Sequence, residues 1–313
     1  MAELNVGLIG VGHMGNPMAM RLLDQGMKLM VCDRNPDAVT PLRDRGATVA
    51  NSPLELANAC HVVIASMPSR EASLEVALGE KGVVGGDAIC VYIETSTLGS
   101  ATIQMIADGL RKREIGFVDA PVSGGPPGAR AGTLAVLASG AERDFSAARP
   151  VLEALAGNLF FLGEKPGLSQ VAKLINNHVS AAGRMAVFEG LAFGIKAGID
   201  PKILNDVFNA GSARNYTTTD KVATQILIGK YSFGANLTIG LKDEAALLEE
   251  AERYSAPLWL APRILEIYRE AAAADYSDQD SMRVFLYMQS QSLPDGGAQI
   301  AAEWREDGQK SAR

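Results

Sequence analysis

Three cysteines in 313 residues are too few, and too odd in number, for a disulfide framework. Cys32, Cys60 and Cys90 each stand within or beside an apolar, strand-like run, as in Met-Val-Cys-Asp and Ala-Ile-Cys-Val-Tyr. They read as buried thiols packing as small hydrophobes. Histidine is equally scarce. His13, His61 and His178 lie far apart, with no ligand spacing to cysteine or carboxylate, so no metal is expected. Basic runs are missing and the net charge is -7, which leaves no electrostatic footprint for nucleic acid. No apolar stretch reaches the roughly 18 to 20 residues that cross a bilayer, so no membrane partner is expected. The opening Met-Ala-Glu-Leu-Asn lacks the basic and apolar regions of a signal peptide. The expected location is cytoplasmic.

What is present is a globular profile, 47% hydrophobic and 21% charged, in a chain long enough for two domains. The first half alternates short apolar runs with helical patterns, the grammar of a mostly parallel sheet wrapped by helices. Strands are expected at 4–9, 28–32, 48–50, 61–66, 88–93, 116–120, 134–138 and 158–161, as consecutive apolar runs suited to strands covered on both faces. Ser52-Pro53-Leu54-Glu55 predicts a helix start with a capping box. Beyond Leu162 the strand pattern stops. A long helix is expected from Leu168 to Ala197, ended by Gly198, and a second one capped by Asp200-Pro201. Further helices are expected at about 218–229, 239–254, 258–274 and 280–291. The division is therefore an α/β domain of the Rossmann type over 1–163, an all-α domain over 164–292, and a polar tail over 293–313.

Leu4 to Ile9 runs straight into Gly10-Val11-Gly12-His13-Met14-Gly15 and then a helix. This is a GxGxxG turn in its proper strand–turn–helix setting. Gly10 permits the tight turn, Gly12 the approach of a pyrophosphate, and Gly15 close helix–strand packing. The helix start presents unpaired N–H groups to the phosphates. The next strand ends at Asp33, eighteen residues past Gly15, placed to accept hydrogen bonds from the adenosine ribose. A carboxylate there favours NAD. Arg34 beside it is a group that can pair with the 2′-phosphate of NADP, so NADP stays open. Met67-Pro68 and Thr95-Ser96-Thr97 leave strand ends where ligands bind in open α/β sheets; each is equally an ordinary turn.

Two further stretches carry chemistry. In Asp119-Ala-Pro-Val-Ser123-Gly124-Gly125-Pro-Pro, successive N–H groups of a Ser-Gly-Gly turn make a concavity for a carboxylate, or else a plain connector. In the long helix, Gln170, Lys173, Asn177, Ser180 and Arg184 recur every three or four residues and form one polar stripe. That stripe is either a solvated face or the wall of a cleft.

In these motifs the chain resembles the β-hydroxyacid dehydrogenase family, related to 6-phosphogluconate dehydrogenase. The matching segments are Gly7 through Ala19, Asp119 through Leu134, Gly167 through Asn177, and Lys242-Asp243. The resemblance implies a Rossmann-like domain, a long interdomain helix and a helical domain that builds homodimers or homotetramers. It implies NAD or NADP at Gly10, Val11, Gly12, His13, Met14, Gly15, Asp33 and Arg34, with Met67, Pro68, Thr97 and Lys242 along the cofactor. It implies a small carboxylate substrate held by Ser123, Gly124, Gly125, Asn177 and Lys242, and Lys173 as the catalytic acid/base. The reaction implied is hydride transfer between NAD and the hydroxyl carbon of a 3-hydroxy acid. An NADPH-dependent semialdehyde reductase shares every motif; an imine reductase or a non-catalytic nucleotide-binding protein would not need Lys173. The chain departs from the family in Glu244-Ala245-Ala246 and in the stretch Ser212 to Thr218, which bear on the substrate.

Overall fold

The computed structural model describes residues 4–292; the expected tail at 293–313 lies outside the described residues. Its chain forms two compact units, residues up to Lys173 and residues from Leu174 onward. The last strand ends at Phe161, and the division falls inside the long helix Leu168–Lys196.

The first unit opens with β1 (Asn5–Ile9), α1 (Gly15–Asp24), β2 (Lys28–Cys32), α2 (Pro36–Arg43) and β3 (Thr48–Val49). It continues through α3 (Pro53–Ala57), β4 (Val62–Ala65), α4 (Arg70–Leu78), β5 (Val91–Glu94), α5 (Ser100–Arg111) and β6 (Gly116–Asp119). These six strands form one parallel sheet in the order β3-β2-β1-β4-β5-β6, the doubly wound arrangement whose strand order reverses between β1 and β4. Every residue of β4, β5 and β6 is buried, which is why these strands read as apolar runs without alternation. Helix α1 turns Met18, Ala19 and Leu22 onto the sheet. Burying side chains of the size of Met18 and Leu22 is worth roughly 1.5–3 kcal/mol each. The start of α3 differs slightly from a capping box. Ser52 Oγ accepts from Glu55 N at 3.1 Å, but Glu55 Oε2 accepts from Asn51 N at 2.9 Å, one residue before the cap.

After β6 the structure corrects two expectations. A second sheet forms, β7 (Val122–Ser123), β8 (Leu134–Ala138) and β9 (Ala156–Phe161), with α6 (Gly125–Ala131) and α7 (Glu142–Leu155) between its strands. The glycine-rich stretch is thus a two-residue strand and a short helix. Two residues are too few to show alternation. The prolines sit in the helix's first turn, where a missing N–H costs nothing, and Gly132 ends it in the left-handed region. Cys90 is the other correction. Cys32 and Cys60 are buried but Cys90 is exposed, because β5 begins at Val91 and the run-in residue turns its side chain outward while Ile89 faces in.

Helix α8 (Leu168–Lys196) ends at Gly198, whose φ is 85°. It is followed by α9 (Pro201–Ala210), α10 (Leu237–Arg253), α11 (Ala261–Ala271) and α12 (Val284–Ser292). Asp200 caps α9, accepting from Lys202 N at 2.6 Å and Ile203 N at 3.3 Å. The helix expected near 218–229 is a π-helix, Thr217–Ile226, a wider turn that a 3.6-residue periodicity does not distinguish. The second unit's core centres on Phe188, Leu191, Tyr268 and Phe285, with the Phe188 and Phe285 rings edge-on at 5.7 Å.

Candidate active site

The glycine turn sits at the carboxyl end of β1. Gly10 has φ 82°, its N–H donates to Cys32 O at 2.9 Å, and Val11 N donates to Asp33 Oδ2 at 2.8 Å. The turn is thereby stitched to the end of β2. A Cβ on Gly10 would strike the Ser66 carbonyl, and one on Gly15 the Gly10 carbonyl. Both glycines are demanded by the protein's own backbone. Gly12 is different: a Cβ there meets nothing within 4 Å, and the residue is exposed. The open space above Gly12, beside the N–H groups that begin α1, fits the pyrophosphate of a dinucleotide. His13 is exposed and Met14 half-buried on the same turn. A cavity of about 560 Å³ opens alongside, lined in part by Gly12, His13, Asn16, Arg45 and Arg130.

Asp33 Oδ1 also accepts from Asn35 N at 2.8 Å. Each carboxylate oxygen keeps a second lone pair, so the group that holds the turn retains capacity for ribose hydroxyls. Arg34 next to it is exposed. Met67 follows β4; its N–H donates to Ser96 Oγ at 2.7 Å and its side chain packs where a Gly10 Cβ would go. Pro68 is exposed and Thr97 half-buried. Ser123 ends β7, and Gly124 and Gly125 follow with φ of 130° and 64°.

Lys173 stands in the second turn of α8, in the same compact unit as the glycine turn, and is only 8% exposed. Below it lies a buried polar cluster that sequence reasoning left without a role. Gln170, fully buried, accepts at Oε1 from Leu98 N at 2.8 Å and Gly99 N at 3.1 Å. Its Nε2 donates to Ser96 O at 3.1 Å and to Asp119 Oδ1 at 2.6 Å. Asp119 Oδ2 also accepts from Gly167 N at 3.2 Å and Ser139 Oγ at 3.4 Å. Glu94, the register partner of Asp119 on β5, accepts from Ser96 N at 3.0 Å and Tyr92 Oη at 3.3 Å. Burial pushes the Asp119 carboxyl up to about 7, against the pull of its hydrogen bonds, and pushes Glu94 up as well. Gln170 opens the polar stripe legible in the sequence. What no pattern showed was that this end of the stripe points into the strand ends.

In the second unit, Asn177 Nδ2 donates to Asp243 Oδ2 at 2.8 Å, and Lys242 Nζ lies 3.6 Å from Asp243 Oδ1. Glu244, one of the departures from the family pattern, is buried and meets His178 Nδ1 at 3.0 Å; burial raises its pKa. Arg184 donates to Tyr268 Oη at 2.7 Å, and Ser180 is exposed. The other departure, Ser212 to Thr218, leads into the π-helix. Asn215 Oδ1 accepts from Thr217 N at 2.8 Å there, and Lys221 lies over the Phe233 ring at 3.6 Å. Among the described residues, no group of three or more side chains is arranged to hold a metal, and no helix is long and apolar enough to cross a membrane.

Comparison with known proteins agrees with this geometry. Residues 5–163 match the NAD binding domain of 6-phosphogluconate dehydrogenase, and residues 167–288 match the NAD-binding domain of NADP-dependent 3-hydroxyisobutyrate dehydrogenase. The mitochondrial 3-hydroxyisobutyrate dehydrogenase of Mus musculus is 32% identical over 91% of this chain and 87% of its own length. The 3-hydroxyisobutyrate dehydrogenase of Pseudomonas aeruginosa is 37% identical over 68% of this chain and 71% of its own length. A structure of the Mycobacterium tuberculosis 3-hydroxyisobutyrate dehydrogenase with L-serine superposes with a TM-score of 0.82 at 26% identity, covering 91% of this chain and 99% of that one. With two family models matched in succession over residues 5–163 and 167–288 and relatives about 32% identical over some nine-tenths of its length, the chain belongs to the β-hydroxyacid dehydrogenase family of pyridine-nucleotide oxidoreductases.

Proposed function

We propose that the enzyme oxidises the hydroxyl group of a small 3-hydroxy carboxylate of the 3-hydroxyisobutyrate type with NAD, and that Lys173 transfers the proton. The observation that carries this is a lysine, Lys173, only 8% exposed as a residue, in the unit that holds the nucleotide turn and the Ser123-Gly124-Gly125 segment. Bound NAD supplies the hydride acceptor. The rest belongs to the chain. Ser123 and the Gly124 and Gly125 N–H groups hold the substrate carboxylate. The Lys173 amine takes the hydroxyl proton during oxidation and, as ammonium, returns it in the reverse direction. Asn177, pinned by Asp243, orients the substrate, and Lys242 adds a cation to the substrate and the cofactor.

NAD over NADP is supported by Asp33, since a carboxylate at the end of β2 repels a 2′-phosphate. Thr97, Met67 and Pro68 are the cofactor's flanking contacts in this reading, and the stretch 212–219 and the start of α10 set which acid is taken. A homodimer or homotetramer is supported by exposed apolar side chains of the second unit, Phe193 at 72% and Ile203 and Val207, one turn apart on α9, at 58% each. Free thiols at all three cysteines suit a reducing compartment such as the cytoplasm.

The test is an NAD-reduction screen across 3-hydroxyisobutyrate, L-serine and larger 3-hydroxy acids, repeated with NADP and with Lys173→Ala. The expected result is turnover on a short 3-hydroxy acid, a preference for NAD, and a loss of about 10²–10⁴-fold in kcat for the variant, the usual range for general acid–base catalysis. A Lys173→Ala enzyme with near wild-type turnover removes the lysine from the chemistry.

A further inference from the structure

The Gln170 amide is fully satisfied. Both acceptor positions of its oxygen and both of its N–H donors are used, at 2.8, 3.1, 3.1 and 2.6 Å, with no exposure to solvent. Its orientation is unambiguous. Two backbone N–H groups, of Leu98 and Gly99, face the oxygen, and two acceptors, Ser96 O and Asp119 Oδ1, face the nitrogen, so turning the amide over would oppose like groups at all four contacts. The four partners come from one loop and one strand end. Ser96, Leu98 and Gly99 bracket Thr97 in the loop after β5, and Asp119 ends β6. Asp119 in turn holds Gly167 N, just before α8, and Ser139 Oγ accepts from Ser169 N at 3.2 Å. The first turn of α8 is therefore tied to two strand ends and one loop from several sides. Lys173 follows Gln170 by three residues, close to one helical turn, so the two share a side of the helix.

We propose that Gln170 is a positioning residue for the Lys173 amine: its amide locks the Thr97 loop, Asp119 and the first turns of α8 into one rigid block and so fixes where that amine stands. The inference rests on Lys173 being the proton-transfer group. Gln170 itself touches none of the reacting atoms in this account. The effect on rate follows from geometry, since displacing a reacting group by about 1 Å costs on the order of a hundredfold.

The test uses the full-length enzyme carrying Gln170→Leu or Gln170→Glu, alone and combined with Lys173→Ala. One readout needs neither cofactor nor substrate. The rate at which acetic anhydride labels Lys173, followed by peptide mass spectrometry, should rise at least about tenfold in Gln170→Leu, because the largely buried lysine is no longer held in place, while labelling of Lys202, on α9 and 72% exposed, stays the same. With 3-hydroxyisobutyrate and NAD, kcat should fall about a hundredfold and the KM for NAD by less than tenfold in either direction. In Gln170→Glu the oxygen contacts survive and the donor returns only when the new carboxyl is protonated, so activity should be partly rescued at acidic pH and lost as pH rises. In the Lys173→Ala background, Gln170→Leu should add little, as expected of two residues acting as a unit. Unchanged Lys173 labelling, a pH-independent defect in Gln170→Glu, or a full hundredfold cost on top of Lys173→Ala would each overturn the positioning role. A Lys173→Ala enzyme that turns over normally would instead sink the functional reading beneath it.

Discussion

Gly12→Ala separates what the fold requires from what the cofactor requires. In the folded chain a Cβ at Gly12 meets nothing within 4 Å, and its φ lies outside the left-handed region. The methyl group should therefore cost the fold no more than about 0.5 kcal/mol, and restricting the unfolded chain offsets even that by about 0.4–1 kcal/mol. Toward NAD the same methyl projects into the space read as the pyrophosphate seat. A hundredfold loss of affinity there corresponds to about 2.7 kcal/mol. With NAD at about 100 times the wild-type Kd, the wild type gains about 2.7 kcal/mol of stability and such a variant only about 0.4 kcal/mol. At about 2 °C per kcal/mol for a chain of this size, the NAD-induced rise in Tm should shrink by some 4–5 °C, while the Tm without NAD stays within about 1–2 °C of wild type. Differential scanning fluorimetry with and without NAD reads both numbers. Gly15→Ala is the control: its Cβ would strike the Gly10 carbonyl, so its Tm should drop before any NAD is added. If Gly12→Ala keeps the full NAD shift, the glycine is not there for the cofactor and the seat has been misread.

Other perturbations test other parts of the structure. Asp33→Ser removes both the negative charge and the acceptor for Val11 N, so the ratio of kcat/KM for NAD over NADP should fall at least about tenfold; an unchanged ratio removes Asp33 from cofactor choice. Asp119 has a folded-state pKa of about 7 because of burial, above its value of about 3.9 in an unfolded chain. The folded state then binds the extra proton, so this group's contribution to stability is full below about pH 4 and is lost as pH rises through about 7. Urea titrations of wild type and Asp119→Asn should therefore show a stability difference that changes across pH 4–7 in that direction; a flat difference contradicts the assignment. Ser52→Ala removes the cap on α3 and should lower stability by about 1 kcal/mol, read as a shifted urea midpoint.

Sequence alone carried much of this protein. The strand–turn–helix context of Gly10, Gly12 and Gly15, and Asp33 at the next strand's end, depend on short-range chemistry: glycine's freedom, helix-start N–H groups and the length of one βα unit. The parallel sheet was legible because strands buried on both faces must be apolar throughout, and the change to helices after Leu162 because the periodicity changed. Caps such as Ser52 and Asp200 act within three residues and are written locally.

Tertiary structure decided the rest, wherever a residue's meaning depends on a partner far along the chain. Gln170 was one polar position in a stripe until the fold placed Ser96, Leu98, Gly99 and Asp119 around it, more than fifty residues away in sequence. Glu244 was an odd charge in an apolar pattern until His178 stood 3.0 Å from it. The same holds for Cys90, turned outward by where β5 happens to begin, and for the two-residue β7, which exists only because β8 pairs with it. Periodicity and capping are properties of neighbours along the chain, whereas hydrogen-bond satisfaction and burial are properties of neighbours in space, and only folding brings the second kind together.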